Sequence, residues 1–398
     1  MNILVAHNYY KLAGGEDQCV AAEVEMLRAH GHRVTQYCLS NDATDVMGRL
    51  ELASRTMWSR PAFLEVRRLI RMHRPKVVHF HNTLPLISPA AYYAARAEGV
   101  PVVQTLHNFR LVCVNGLLFR DSRPCEDCLG KIPWRGVANK CYRDSRAASA
   151  AVAAMISAHH LLGTWRNAVN AYIALSEFSR RKLIEGGLPA DKIAVKSNFV
   201  YPDPRPGAGN GGYAVYIGRL SAEKGVETLL RAWHSIGQAV PLKIAGDGPL
   251  APVVQEAAAR NHAIEWLRGV SHEKVYDLIG AAAFLVVPSH CYEGFPCVVA
   301  EAFAKGTPII ASRQGLMADI VEDGCNGLHI TPREPEDLAA KVRCLFSDAS
   351  TLKRMRRAAR ETFDQHFTAE ANHESLMAIY ARAMNATSSH HLLQASAS

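Results

Sequence analysis

The chain has no long apolar run. Its most apolar stretch, residues 147–162, is mostly alanine and carries His159 and His160, which suits a packed helix better than a bilayer span. The beginning, MNILVAH, has no basic stretch and no small-residue cleavage site, and it reads directly as a first strand. Together these set the expectation of a cytoplasmic protein. The composition of a disordered chain is missing too, since 48% of residues are hydrophobic and 21% are charged. At 398 residues the chain is too long for one ordinary core, so two domains are expected.

The net charge of +8 is unevenly placed. Residues 1–200 hold 26 Lys+Arg against 16 Asp+Glu, while the remainder holds 19 against 21. Arg55, Arg60, Arg67, Arg68, Arg71, Arg74 and Lys76 crowd one segment. Such a cluster can meet an anionic lipid surface, nucleic acid or an acidic substrate, and taken singly each residue fits a solvated helix face. Aromatic residues are not interleaved with these cations and no nucleic-acid-binding module is recognisable, so nucleic acid is not the expected partner.

What is present is an alternation of short β-branched runs with helical apolar spacing. Strands are expected at residues 3–6, 34–38, 77–80, 102–105 and 172–174. A second series is expected at 214–217, 242–245, 263–267, 284–287 and 308–311. Helical spacing fills the gaps, as in residues 18–29, 226–234 and 335–346. This predicts an α/β protein of two doubly wound, Rossmann-like domains with parallel sheets. The boundary falls at SNFVYPDPRPGAGNGG, residues 197–212, whose prolines and glycines mark a linker. The expected domains are 1–198 and 199–367, with a helix at 368–385 returning to the first and a disordered tail at 386–398. Ligands of open α/β sheets bind beyond the carboxyl ends of the strands, so a cleft between the domains is expected.

Three strand ends in the second half carry chemistry. YAVYIGRLSAEKG turns at Gly218 and then offers Arg219 and Lys224, two cations suited to a diphosphate. By itself the segment fits equally an Arg219–Glu223 pair with a solvated Lys224. LKIAGDGPL places Gly246, Asp247 and Gly248 at a second strand end, where glycines permit close approach and Asp247 could cap the next helix. SHCYEGFPCVVAE sets Glu293 in a loop and Glu301 inside a helix opened near Pro296. The N–H groups at that helix start suit an anion, and the two carboxylates suit paired hydroxyls of a sugar or ribose.

GRLSAEKG, AGDGP and EGFPCVVAEAFAKGTPIIAS, in this order and spacing, resemble the GT-B glycosyltransferases of family 4, which retain anomeric configuration. The resemblance covers nearly the whole chain and is strongest over residues 213–330. It implies that Arg219 and Lys224 hold the diphosphate of a UDP- or GDP-sugar and that Glu301 binds its ribose. Glu293, with the backbone of Gly294, Phe295, Pro296 and Cys297, would hold the donor sugar, next to Gly218, Gly246 and Asp247. Cys297 stands where the family more often has a larger aliphatic residue or a glycine. In the first half, Gly14 and Gly15 resemble the family's glycine loop. A dinucleotide fingerprint would need a third glycine, and Gln18 follows instead. QTLHNFR places His107 where the family has a histidine near the reacting sugar; His79 and His81 alternate on a neighbouring strand.

The implied chemistry transfers a hexose-type sugar to a glycan or lipid-linked acceptor. The leaving phosphate takes the acceptor's proton, and no catalytic metal is required. Exopolysaccharide or envelope glycan synthesis at the inner face of a membrane is the expected setting. Two alternatives carry different expectations. A nucleotide-sugar 2-epimerase would need no acceptor, but would need an acidic and histidine set in the first domain that the sequence does not offer. A nucleic-acid-binding protein would bind with steep salt dependence, untouched by substitutions at Glu301.

Four of the ten cysteines, Cys113, Cys125, Cys128 and Cys141, lie in one segment. Disulfides are disfavoured in a cytoplasmic protein, and the C-x-x-C core with two flanking thiols suits a tetrahedral structural zinc. As an insertion near His107, residues 113–141 could shape the acceptor pocket.

Overall fold

A computed structural model describes residues 1–11 and 14–395. The chain divides into two units. The first holds Met1–Leu118, Glu126–Ser197 and the chain from Asn372 onward; the second holds Phe119–Cys125 and Asn198–Ala371.

The first unit is built on a parallel sheet. Its strands are β1 (Asn2–Tyr9), β2 (Arg33–Ser40), β3 (Val77–Phe80) and β4 (Val102–Leu106). Past the short antiparallel pair β5 (Phe119–Arg120) and β6 (Arg123–Pro124), which the second unit includes, follow β7 (Ala171–Ala174) and β8 (Ile193–Val195). The sheet order is β2-β1-β3-β4-β7-β8, all parallel. β3, β4 and β7 are buried throughout, as strands covered on both faces are, and they carry the polar His79, Gln104 and Thr105 inside with their apolar residues. Helix α1 (Gly15–Ala29) follows β1; α2 (Arg49–Met57) and α3 (Arg60–His73) lie between β2 and β3. The last helix, Ala369–Ala395, continues through residues expected as a tail, and 396–398 lie outside the described residues.

The second unit repeats the plan with β9 (Ala214–Ile217), β10 (Leu242–Ala245), β11 (Ile264–Arg268), β12 (Phe284–Val287), β13 (Ile309–Ser312) and β14 (Gly327–Ile330). The order is β11-β10-β9-β12-β13-β14, all parallel. Its core packs Trp233, Leu229, Phe284, Leu338 and Val342 against strand residues Ala214, Tyr216 and Ile244. In each sheet the strand order reverses beside the first strand, between β1 and β3 and between β9 and β12. Such switch points leave a crevice at the strands' carboxyl ends.

Residues 198–212 are not a loose tether. Val200 N–H donates to Phe367 O, and the N–H groups of Gly207, Gly209 and Gly211 donate to the carbonyls of Lys305, Gly280 and Ala281. Arg356 clamps the strap by donating to Gly207 O at 2.8 Å. A Cβ at Gly207 would stand 2.2 Å from Gly280 O, so the glycine is needed for close approach rather than for flexibility.

Candidate functional site

In the second unit the switch point gathers the loops after β9, β10 and β12. Gly218 ends β9, and Gly246 ends β10 with φ 142°; a Cβ there would sit 1.9 Å from Gly218 O. Arg219 follows, exposed, and its guanidinium makes no ion pair among the described residues. The Arg219–Glu223 pair open to the sequence does not form. Glu223 instead accepts from Ser221 Oγ at 2.5 Å, and its carbonyl accepts from the His290 N–H at 2.8 Å, tying the β9 loop to the β12 loop.

Lys224 Nζ donates to both oxygens of Glu293 at 2.8 Å, and Ser289 Oγ donates to Glu293 Oε1 at 2.6 Å. Burial disfavours the Lys224 ammonium, yet the Glu293 carboxylate beside it holds the lysine above its ordinary value. Gly225 (φ 72°) closes the turn after Lys224; a Cβ there would be 1.9 Å from Pro288 O, so glycine lets the β9 and β12 loops touch. Gln314 Nε2 donates to Ser289 O and Cys291 O, completing the support of the loop.

The helix expected near Pro296 runs Cys297–Ala304, with Pro296 at its cap. Pro296 has no N–H, so of the stretch Gly294–Cys297 it cannot donate. The N–H groups of Gly294 and Phe295 donate to no acceptor among the described residues. Asn198 Nδ2 donates to Phe295 O at 2.8 Å and lies 3.8 Å from Cys297 Sγ, fixing this corner. Glu301, buried on the helix, meets His272 Nε2 at 2.9 Å; that hydrogen bond raises the His272 pKa against the effect of burial. Asp247 is exposed and accepts from the Gly248 N–H at 2.7 Å. It does not cap the next helix, which starts at Ala251.

In the first unit Gly14 and Gly15 lie at the start of α1, where Gly14 N–H donates to Asp17 Oδ2 at 3.1 Å. His107 follows β4 and is half-buried; its Nε2 lies 2.9 Å from His81 Nδ1. His79 is fully buried between Tyr380 OH (2.7 Å) and Thr105 Oγ1 (2.8 Å). Both histidines face Glu23 of α1, at 3.1 Å for His79 and 3.3 Å for His81, and Lys196 Nζ binds its other oxygen at 3.0 Å. Sequence reasoning passed over Glu23. The available signal was that it shares the i, i+4, i+7, i+8 stripe of Cys19, Met26 and Leu27, where a carboxylate is buried with the apolar residues. Ser289 and His272 also went unnoticed: Ser289 opens the same segment as Glu293, four residues on, but a lone loop serine carries no signal of its own, and His272 lies 29 residues from Glu301.

The expected zinc ligands divide between the units: Cys125 falls in the second, and Cys113, Cys128 and Cys141 fall in the first. Cys113 is buried with its Sγ donating to Asn115 Oδ1 at 3.0 Å.

These features meet their counterparts among known proteins. Residues 204–362 match the family described as glycosyl transferases group 1, and residues 13–203 match glycosyltransferase family 4. The chain belongs to the family 4 glycosyltransferases, with the GT-B class of fold. It is similar to glycogen synthase of Mycobacterium tuberculosis, at 30% identity over 311 residues covering 75% of this chain and 66% of that one. The chain therefore spans a little under two thirds of that curated relative. Among solved structures it resembles sucrose-phosphate synthase from Thermosynechococcus elongatus (TM-score 0.72, 18% identity, 97% of this chain and 100% of that one). It also resembles Anabaena HepE, solved in complex with UDP (TM-score 0.68, 17% identity, 96% and 100%). At those identities the structural likeness is one of fold.

Proposed function

We propose that the protein is a retaining glycosyltransferase that moves a hexose-type sugar from a nucleoside-diphosphate sugar to a glycan or lipid-linked acceptor. The observation that carries this reading is the Arg219/Lys224/Glu293 cluster at the switch point of the second sheet. It combines an unpaired guanidinium, an ammonium held by a buried carboxylate, and two N–H groups with no acceptor at a helix start. Arg219 and the remaining N–H of Lys224 suit diphosphate oxygens, since charge-assisted donors are the strong ones. Glu301, one turn into the same helix, suits the paired hydroxyls of a ribose. Glu293, with the Gly294 and Phe295 amides, suits the sugar.

In the transfer, the bond from the sugar's anomeric carbon to the diphosphate breaks and a bond from that carbon to the acceptor oxygen forms on the same face. The acceptor's proton passes to the departing diphosphate, whose growing charge Arg219 and Lys224 stabilise. The glycan-synthesising relative and the UDP complex of HepE support a nucleotide-sugar donor, UDP or GDP. No catalytic metal is assigned a part. A structural zinc held by Cys113, Cys125, Cys128 and Cys141 belongs to this reading, and metal analysis of the purified protein tests it.

The acceptor is proposed to be met at an anionic membrane. No helix among the described residues is long and apolar enough to cross one. α2 and α3 expose Leu50, Leu64 and Met72 among basic residues. Four of the seven clustered cations are already paired: Arg55 with Glu51, Arg68 with Glu65, and Arg67 and Arg71 with Glu98. Arg60, Arg74 and Lys76 have no ion pair among the described residues and are the ones left for lipid phosphate. Sedimentation with anionic against zwitterionic vesicles tests the docking.

The central test is a panel of UDP-, GDP- and ADP-sugars, read by thermal shift and by nucleotide release with saccharide acceptors. Glu293→Ala and Glu301→Ala each abolish transfer; unaltered turnover in both would sink the site assignment, and a product of inverted anomeric configuration would sink the retaining mechanism.

A further inference from the structure

The crevice of the first unit contains a chain of buried polar groups whose protons can be placed one after another. Glu23, His79 and Lys196 are buried, as is His81. The ammonium of Lys196, 3.0 Å from Glu23 Oε2 and also donating to Asn372 Oδ1 at 3.0 Å, keeps the carboxylate ionised; burial opposes this, but Lys196 and the histidines hold Glu23 well below the usual carboxylate range. Glu23, His79 and His81 stand close enough to share a metal ion. Lys196 already supplies the cation, however, and both His79 nitrogens are engaged by Tyr380 and Thr105.

An ionised carboxylate only accepts. His81 Nε2 and Glu23 Oε1 are both buried and lie 3.3 Å apart, and neither makes a hydrogen bond of regular geometry to any described residue. A bare nitrogen lone pair there would face carboxylate oxygen in a water-free site, so the His81 proton sits on Nε2. His81 Nδ1 is then an acceptor, and the group 2.9 Å from it, His107 Nε2, must donate. His107 Nδ1 consequently carries the lone pair. It has no hydrogen-bond partner among the described residues, and the ring is half-buried at the carboxyl end of β4.

We propose that Glu23 and His81 are positioning residues that hold His107 with Nε2 protonated and Nδ1 bare, so that this unit offers a hydrogen-bond acceptor to a hydroxyl of its ligand. Burial, and then the neighbouring His81, hold the His107 pKa well below its ordinary value, so the ring stays neutral and the acceptor persists near neutral pH. That the hydroxyl belongs to a sugar or an acceptor alcohol rests on the transferase reading; the tautomer does not.

The test is long-range nitrogen–proton NMR of the full-length, nitrogen-15-labelled protein without any ligand, with the His107 signals identified by their loss in His107→Gln. The expected pattern is a protonated Nε2 and an unprotonated Nδ1. His81→Leu removes the acceptor, so His107 becomes a mixture of tautomers. His81→Asn places Oδ1 where His81 Nδ1 stood and restores the wild-type pattern, which loss of packing alone would not do. A wild-type His107 protonated on Nδ1, or an unchanged pattern in a folded His81→Leu protein, overturns the proposal. If His81→Leu does not fold, the wild-type spectrum still decides. The readout needs no turnover. A correct tautomer in a protein that transfers nothing would leave the relay standing and remove the transferase reading; active transfer with Nδ1 protonated would do the reverse.

Discussion

Lys224→Met keeps the lysine's apolar stem and removes its charge, and its effect on nucleotide binding can be worked from the geometry. Two of the ammonium's three N–H groups go to Glu293 at 2.8 Å, so the carboxylate is neutralised and one donor remains. The substitution removes a charge-assisted contact to the diphosphate, about 1.5–3 kcal/mol. It also leaves Glu293, 8% exposed, facing the single negative charge of the nearer phosphate without its cation. At about 6 Å and an effective permittivity of about 20, that repulsion is worth about 3 kcal/mol before partial protonation of the acid reduces it. Together these weaken UDP binding by roughly two to three decades in Kd. Glu293→Gln in the Lys224→Met background removes the repulsion and recovers roughly one to two of those decades. Glu293→Gln alone leaves UDP binding undiminished while transfer falls, because Lys224 is released toward the phosphates. Isothermal titration calorimetry with UDP reads all three variants. Wild-type affinity in Lys224→Met, or a double variant no better than the single, would refute the reasoning.

Other expectations concern stability. Burial raises the Glu16 carboxyl to about 7, with His7 and the Tyr10 hydroxyl working against it. A raised carboxyl favours the folded state fully below the unfolded value and loses that contribution as pH climbs through 7. The wild-type Tm should thus fall between pH 5 and pH 8, and Glu16→Gln should flatten part of that slope; an identical slope in the variant would count against it. Gly246→Ala forces a Cβ against Gly218 O, so it should lower Tm by several degrees, whereas Gly212→Ala, with nothing within 4 Å, should lower it less. Lys196→Met strands a buried carboxylate and should cost about 3–5 kcal/mol in urea unfolding, most of it returned by adding Glu23→Leu; equal losses in single and double variants would contradict the pairing.

Ten strands were legible because short runs rich in β-branched and other apolar residues alternate with segments of helical spacing. β5, β6, β8 and β14 were not; β5 and β6 are two residues each, and β8 and β14 are short edge strands with half-exposed middles, so no period stands out. Lys224, Glu293 and Glu301 were found through motifs, since each lies a fixed few residues from a strand end. Ser289 lies only four residues from Glu293, but a serine in a loop is too common to stand out; His272, like the Glu23–His81–His107 line, depends on which loops the sheet order brings together, and separations of 26 residues or more carry no local signal. The segment 197–212 read as a linker because proline and glycine look alike whether a chain is free or strapped down. The hydrogen bonds to Gly280, Ala281 and Lys305 decide it.

The return of the last helix to the first unit has a consequence for synthesis. Asn372 and Tyr380, which hold Lys196 and His79, leave the ribosome after the whole of residues 198–371. The amino-terminal unit begins first yet finishes last, while most of the second is contiguous and can close in between. A nascent chain stalled near residue 370 would thus carry a finished second unit beside a first one whose buried charges still lack their final partners. Expressing residues 1–197 alone reproduces that unfinished state.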